Sequence, residues 1–248
     1  MPELSSEGRR MSIPGLEAWL ETAQGNYVRD WEVASMESAI ADVFGFNALQ
    51  LGLPQWDLLR ASRIPLRQKA GESGPVDVLC ELTAMPFAAL STDLVILPHV
   101  LEFSSDAHQI LREVERILIP EGHLIILGFN PLSLWGLRNR FERSGSFPWH
   151  GTYLSLTRLK DWLKLLGFEV DHSISGCHVP PCDQKAWLKR WHFMETAGAR
   201  WRGLPGGVYL LHAIKRTHSM RLITPKWRKT AVPAKALRPV AQKESHDR

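Results

Sequence analysis

The feature that most constrains this chain is a pair of fully apolar segments on either side of one amphipathic helix. Residues 94–97 and 124–127 contain only leucine, isoleucine and valine, which is typical of strands buried on both faces of a parallel sheet. Residues 107–118 carry apolar side chains at helical spacing, and Pro120 and Gly122 follow to end the helix. Strand, helix and strand in this order predict a βαβ unit.

The alternation of strands and helices extends over most of the chain. Periodicity predicts further helices at 13–23, 31–43 and 156–166, further strands at 47–53, 63–67, 76–80, from 168 and at 208–214, and a long loop at 130–151. This order indicates an α/β fold with a mostly parallel sheet and helices on both faces. Ligands of such sheets bind outside the carboxyl ends of the strands. The loops after Leu51, Cys80 and Leu97 are therefore expected to carry the site.

The chain divides into three predicted segments. An N-terminal helical segment at 1–43 precedes the α/β domain at 44–216, and a basic tail follows at 217–248. From Arg216 onward there are nine basic and two acidic residues, so this part carries +7 and the rest −3 of a net charge of +4. The composition of the tail predicts disorder. Clustered basic residues bind nucleic-acid phosphates, so nucleic acid is a candidate partner of the tail. The favoured alternative is a tail that is only solvated.

The composition excludes several classes of protein. No apolar run is long enough to span a bilayer, and the first residues lack the apolar core of a secretory signal. We therefore expect a cytoplasmic protein with no membrane partner. The odd number of cysteines, Cys80, Cys177 and Cys182, does not indicate a disulfide framework. The spacing of Cys177 and Cys182 is a weak zinc signal, and no metal site is predicted.

Four sequence blocks follow one another in the second and third quarters of the chain. They are Met85-Pro86-Phe87, Ser91-Thr92-Asp93-Leu94-Val95, Arg116-Ile117-Leu118-Ile119-Pro120-Glu121-Gly122 and Leu165-Leu166-Gly167-Phe168-Glu169-Val170. In this order they resemble the type 11 class I methyltransferases. The resemblance covers about residues 44–215 and is strongest over 81–129. The phrases LPHVLEF and GFNPLSLWGLR are similar to one uncharacterised proteobacterial branch of that family, which implies a bacterial protein.

The resemblance implies a Rossmann-like fold with a seven-stranded sheet and S-adenosylmethionine as the cofactor. In the family, an acid before the Leu-Pro-Phe step accepts a hydrogen bond from the adenine amine, and Glu81 occupies that position. Asp93 corresponds to a residue that serves the fold, whereas Glu102 is interpreted as polarity at a helix start. The remaining cofactor contacts that the resemblance implies are Gly52, Pro54, Leu82, Pro98 and His99.

Methyl transfer requires alignment of donor and acceptor and needs no metal. His99 is the candidate general base for an oxygen or nitrogen acceptor, with a packing role in the loop as the alternative. The predicted loop at 130–151 would cover the acceptor through Asn130, Trp135 and Trp149. Simple packing is the alternative for these tryptophans, and the sequence does not identify the acceptor.

The sequence departs from the family at the first motif, which normally reads acidic-x-Gly-x-Gly-x-Gly. Only Gly52 is retained, Gln50 replaces the acid and Pro54 replaces the second glycine. The short gap to the next strand implies that the usual helix there is reduced. After that strand the family has an acid that binds the ribose. Glu72 is the nearest carboxylate in this sequence, and the sequence leaves its register relative to the strand open.

These departures leave one alternative function open. A catalytically inactive methyltransferase-fold protein with a binding or regulatory role would also explain the lost glycines, because fold alone does not fix function. A nicotinamide-dependent enzyme would need a Gly-x-Gly-x-x-Gly turn after the first strand, and the sequence has none. The sequence therefore favours an S-adenosylmethionine-dependent methyltransferase over both.

Overall fold

A seven-stranded sheet organises the protein in the computed structural model, which describes residues 15–142, 148–149, 151–181 and 205–217. The strand order across the sheet is β3-β2-β1-β4-β5-β7-β6. The strands are β1 (Asn47–Leu51), β2 (Leu66–Gly71), β3 (Val78–Leu79), β4 (Thr92–Pro98), β5 (Leu118–Phe129), β6 (Phe168–Gly176) and β7 (Val208–Lys215).

The strands are parallel except at one edge. β1 pairs in parallel with β2 and β4, β2 with β3, and β4 with β5, whereas β7 is antiparallel to both β5 and β6. The chain runs outward from β1 to β3 and then returns to β4 on the other side of β1. The order reverses between β1 and β4, and ligands of open α/β sheets bind at such a switch point. The mostly parallel α/β sheet predicted from the sequence is confirmed.

Helices cover both faces of the sheet. The described helices are α1 (Leu16–Leu20), α2 (Ala23–Ile40), α3 (Val100–Phe103), α4 (Ala107–Ile117), α5 (Leu134–Phe141) and α6 (Leu156–Leu165). α1 and α2 pack on one face of the sheet and α4 and α6 on the other. β4 shows why both faces must be covered, since Leu94 and Ile96 point to the α2 face and Val95 and Leu97 to the α4 face.

Several predicted boundaries need correction. α2 begins at Ala23 and not at residue 31, because the Thr22 side chain accepts a hydrogen bond from the Gly25 N–H at 3.0 Å and caps the helix. β2 lies at Leu66–Gly71 and not at 63–67, since parallel pairing with β1 sets its register. The predicted loop at 130–151 contains α5, which Ser133 caps.

The described residues also bear on membrane spanning and on the two ends of the chain. Among the described residues, no helix is both long and apolar enough to cross a membrane. Apart from Thr217, the predicted disordered tail at 217–248 lies outside the described residues. Residues 1–14 of the predicted 1–43 segment also lie outside them.

Candidate functional site

A cavity of about 460 Å³ opens at the carboxyl ends of β1, β2 and β3, beside the helix α3 that follows β4. Pockets for small molecules and cofactors span roughly 300–1,000 Å³, so the cavity has the size of a ligand site. Its walls come from the ends of three strands and from α3, and they include Gly52, Glu72, Glu81, Leu82, Val100 and Phe103.

Gly52 forms a tight turn where β1 ends. Its φ is 77°, in the left-handed region that favours glycine. A Cβ at this position would lie 2.8 Å from Cγ2 of Val100 on α3. The Gly52 N–H also donates to the Ala70 carbonyl oxygen of β2 at 2.8 Å. Glycine is therefore required here both by the backbone conformation and by the close approach of α3.

The side chain of Gln50 stabilises the rest of this turn through hydrogen bonds. Its side chain is fully buried, and its Nε2 donates to the carbonyl oxygens of Gly52, Leu53 and Trp56 at 3.2, 2.8 and 2.9 Å. Its Oε1 accepts from the Leu58 N–H at 3.2 Å. Residues 52–65 contain no helix, as the short spacing predicts. One amide thus fixes a turn that lacks the later glycines of the family motif.

Pro54, expected at the cofactor, lies on the other side of this turn. It is buried but does not line the cavity. Its carbonyl oxygen accepts from Nζ of Lys69 at 3.1 Å, and a Cβ on Gly74 would lie 2.8 Å from its Cγ. Pro54 therefore packs against the loop after β2, and a cofactor contact at Pro54 stays a prediction that the cavity does not favour.

Two carboxylates line the cavity at the ends of neighbouring strands. Glu72 directly follows β2 and Glu81 follows β3, and both side chains are exposed. The register of Glu72, which the sequence leaves open, is thereby fixed. Leu82 lies beside Glu81 and is 7% exposed. Burial, together with the charge of Glu72, raises the pKa of the Cys80 thiol, so this thiol stays protonated near neutral pH.

A buried charged cluster underlies α3 on the opposite wall. His99 precedes α3 with φ of 52° and lies between two glutamates. Its Nε2 is 2.6 Å from Oε1 of Glu32 on α2, and its Nδ1 is 2.8 Å from Oε2 of Glu102 on α3. All three side chains are almost inaccessible to solvent. The cluster therefore ties α2 to the helix that forms one wall of the cavity.

The charge state of His99 follows from these contacts. Burial alone would lower the pKa of His99, but the carboxylates of Glu32 and Glu102 outweigh it and raise the pKa to about 10. The ring is therefore an imidazolium near neutral pH, with both nitrogens engaged. An imidazolium has no lone pair to accept a proton, so this charge state disfavours the predicted general base at His99. Neither His99 nor Pro98 lines the cavity.

Glu102 was expected to provide only polarity at a helix start, and that expectation is wrong. Its side chain is buried and accepts from the Phe129 N–H at the end of β5 as well as contacting His99. Its backbone carbonyl accepts from the Thr152 N–H at 2.8 Å. Glu102 therefore fixes α3 to β5, and no local sequence signal indicates this long-range role.

The residues expected at the acceptor make contacts within the fold. Trp135 is 1% exposed, stacks with Phe129 and Trp149 at centroid distances of 6.1 and 5.9 Å, and donates its Nε1–H to the Val179 carbonyl oxygen at 2.9 Å. Trp149 is also buried, and Asn130 bonds within its own turn. None of the three lines the cavity. These contacts favour the packing alternative for both tryptophans, and an acceptor contact stays a prediction.

Two of the sequence blocks that carry the family resemblance meet in space. Arg116 donates to the carbonyl oxygens of Met85 and Phe87 at 3.0 and 2.9 Å. Glu113 accepts from the Met85 N–H at 3.0 Å, and its pKa is lowered chiefly by its hydrogen bond to Arg116. Asp93 accepts from the N–H groups at the start of β1, which is the structural role expected of it. These blocks shape the loop that carries Glu81.

Sequence comparison identifies the family. The sequence model of a family described as "Methyltransferase domain" matches residues 57–126. Over 210 residues the chain is 34% identical to the uncharacterised protein YafS of Escherichia coli, covering 83% of each chain. The chain belongs to the type 11 class I methyltransferases.

A second curated relative of this methyltransferase has two activities in one chain. It is the biotin biosynthesis bifunctional protein BioHC of Saccharophagus degradans, 25% identical over 199 residues. The match covers 73% of the methyltransferase described here and 35% of BioHC, so it concerns one part of that protein.

Solved structures agree with the fold. An S-adenosylmethionine-dependent methyltransferase from Thermotoga maritima superimposes with a TM-score of 0.59 at 14% identity, covering 81% of this chain and 94% of that chain. One from Archaeoglobus fulgidus gives 0.55 at 18% identity, covering 75% and 94%. At such identities these likenesses show the Rossmann-like class I fold. S-adenosylmethionine is the cofactor of this methyltransferase family.

Proposed function

We propose that this methyltransferase binds S-adenosylmethionine in the cavity at the carboxyl ends of β1, β2 and β3, and transfers its methyl group to an acceptor. One observation carries the proposal. Gly52, Glu72 and Glu81 line a single cavity beside the switch point of the sheet, and each is of the residue type that the family uses at that strand end.

The residues present fit the cofactor in three respects. The Gly52 turn lets backbone approach the methionine end, where a Cβ would intrude. The exposed carboxylate of Glu72 would accept hydrogen bonds from the ribose hydroxyls, and that of Glu81 from the adenine amine. Leu82 supplies apolar surface beside Glu81 for the base. Ionised carboxylates accept only, so both suit donor groups on the cofactor.

The sulfonium of the bound cofactor supplies an activated methyl group and its own leaving group. The chain has to align the acceptor with it and to exclude water. Val100 and Phe103 of α3 present apolar surface to the cavity, while the cluster beneath fixes their helix. The His99 imidazolium cannot take a proton from the acceptor, so a group other than His99 does so where the acceptor needs deprotonation.

The altered first motif favours the alternative of a non-catalytic protein of the same fold. Gln50 and Pro54 replace the acid and a glycine, and residues 52–65 form turns in place of the family's helix. The Gln50 hydrogen bonds weaken this alternative, because they order the turn without those residues. Binding of the cofactor separates the two functions.

Calorimetry on the full chain with S-adenosylmethionine and S-adenosylhomocysteine tests the proposal. We expect both to bind in the micromolar range, with affinity reduced by Glu72→Ala and unchanged by Asp161→Ala on the exposed surface of α6. Absence of binding at millimolar ligand, in protein whose circular dichroism is that of a folded α/β domain, would refute the enzyme and support the non-catalytic function.

A further inference from the structure

Four polar side chains meet on one face of the antiparallel edge of the sheet. His123 lies on β5, His212 on β7, and Asp171 and His172 on β6. His123 pairs in register with Leu94 at the beginning of β4, whereas the cavity lies beside α3, which follows the end of β4. The cluster is therefore separate from the proposed methyl-transfer site and is not used by it.

A β-bulge brings two of these side chains together. Val170 pairs with Ala213 and His172 with His212, so Asp171 is an extra residue in β6. In a regular strand, Asp171 and His172 would point to opposite faces. The bulge turns both toward His212, and Nδ1 of His172 lies 2.8 Å from Oδ2 of Asp171. Bulges recur beside functional sites because they redirect side chains in this way.

His212 points an unsatisfied nitrogen into the cluster. The residue is 6% exposed, and its Nδ1 has no hydrogen-bond partner although it lies 3.4 Å from Oδ2 of Asp171. Its other nitrogen, Nε2, is 2.9 Å from Nδ1 of His123. When Nε2–H donates to His123, a lone pair on Nδ1 faces a carboxylate. Two electron-rich atoms in that arrangement repel each other, and either a cation between them or a proton on Nδ1 relieves the repulsion.

The spacing of these atoms fits a metal ion. Oδ of Asp171, a ring nitrogen of His172 and one of His212 all lie within 4.8 Å of one another. Ligands about 2.0–2.2 Å from a tetrahedral zinc ion are roughly 3.3–3.6 Å apart, which includes the 3.4 Å from His212 to Asp171. The 2.8 Å between His172 and Asp171 is a hydrogen bond, which has to open when an ion binds. The side chains of His172 and Asp171 are 44% and 52% exposed, so an ion can enter from solvent.

We propose that Asp171, His172 and His212 form a binding site for a divalent transition-metal ion such as Zn²⁺. His123 orients the site by accepting the Nε2–H of His212, as the partners of metal-bound histidines do. Two imidazoles and one carboxylate suit Zn²⁺ better than Mg²⁺ or Ca²⁺, which prefer oxygen. Binding displaces the hydrogen bond between His172 and Asp171, so that the nitrogen of His172 that faces the ion offers its lone pair, and water completes the coordination. No metal site could be predicted from the sequence, because the ligands come from two strands and a bulge.

Zinc titration of the full, chelator-treated chain tests this proposal. Calorimetry with ZnCl₂ is expected to give one equivalent bound and a rise in the melting temperature. His172→Ala and Asp171→Asn alter exposed side chains and should fold normally, and each should weaken zinc binding at least about tenfold. His108→Ala, which removes an exposed histidine of α4, should leave it unchanged.

Cobalt distinguishes this site from the cysteines. Co²⁺ in the wild-type protein should give visible ligand-field bands without the intense near-ultraviolet band of cobalt–thiolate bonding. Three results would each overturn the proposal: no zinc binding at millimolar ZnCl₂, equal binding by the wild type and both cluster variants, or a thiolate band that accounts for the bound cobalt.

Discussion

The two walls of the cavity differ in the exposure of their charged side chains. On the side of β1 to β3, the polar groups are the exposed carboxylates of Glu72 and Glu81, which have no charged partner among the described residues. On the α3 side, Glu32 and Glu102 are buried and both contact His99. A buried charge left alone is costly, so the charges of the α3 wall are paired within the fold, whereas those of the strand side face the cavity, where we propose that the ligand binds.

The largest effect is expected on the α3 wall. His99→Ala removes the imidazolium and leaves Glu32 and Glu102 buried without their partner, so we expect a loss of about 3–5 kcal/mol in the free energy of unfolding. Urea denaturation measures it. As a control, Glu37→Ala breaks an exposed pair with Arg60, whose side chains are 38% and 59% exposed, and should cost less than about 1 kcal/mol. Equal losses would remove the distinction between the walls.

A substitution on the strand side of the cavity should change the affinity for S-adenosylmethionine. Gly52→Val places a side chain against Val100 and into the cavity, so S-adenosylmethionine should bind at least about 100-fold more weakly, or about 2.7 kcal/mol. Gly167→Ala imposes a similar backbone strain, with φ of 84°, at the end of α6 and away from the cavity. It should lower the melting temperature and leave affinity intact. A folded Gly52→Val protein with normal affinity would contradict the assignment.

A smaller effect is expected at Glu81. Glu81→Ala removes an exposed acceptor, so cofactor binding should weaken by about 1–3 kcal/mol, the range for a hydrogen bond to a charged group. The free energy of unfolding should change little. Calorimetry and urea denaturation on one preparation measure both quantities, with Asp161→Ala as the surface control. A loss of stability without a loss of affinity would assign Glu81 to the fold.

The last effect is that of pH on the free energy of unfolding. The pKa of His99 is about 10 in the folded protein and about 6.5 when unfolded. The stabilisation is therefore complete below about pH 6.5 and is lost as pH rises toward 10, by at most about 1.4 kcal/mol per pH unit. Burial raises the pKa values of Tyr153 and Tyr209, so these phenols stay neutral in this range. Urea denaturation at pH 7, 8 and 9 should show a flatter curve for His99→Gln, and parallel curves would contradict the charge state.

The order of elements was predictable from the sequence, but several boundaries were not. Strands such as 94–97 are purely apolar, and their burial is independent of any particular neighbour. β2 is different, because Arg67, Gln68 and Lys69 resemble a loop until pairing with β1 is known. α5 was missed although Ser133, its cap, is a recognisable start signal; the glycine, proline and tryptophan residues around it favoured a loop.

The candidate site also contains residues whose position could be predicted from the sequence and residues whose contacts could not. The position of Gly52 and Glu81 at the cavity could be predicted from the sequence because both lie just after strands, and strand ends meet at one edge of a sheet. The surroundings of His99 could not, since Glu32 is 67 residues away and contacts it only through tertiary packing. Glu102 is three residues from His99, yet its burial depends on β5. Local pattern predicts which side chains reach the cavity, and it does not predict which charges meet beneath it.

The hydrogen bonds of Gln50 have a consequence for the family motif. Its Nε2 faces three carbonyl oxygens, so a carboxylate at this position would set oxygen against oxygen and could donate to none of them. Changing Gln50 to the acid that the family motif normally has should therefore destabilise this protein. In this chain the shortened turn and the glutamine depend on each other, so the acid could be restored only together with a different turn.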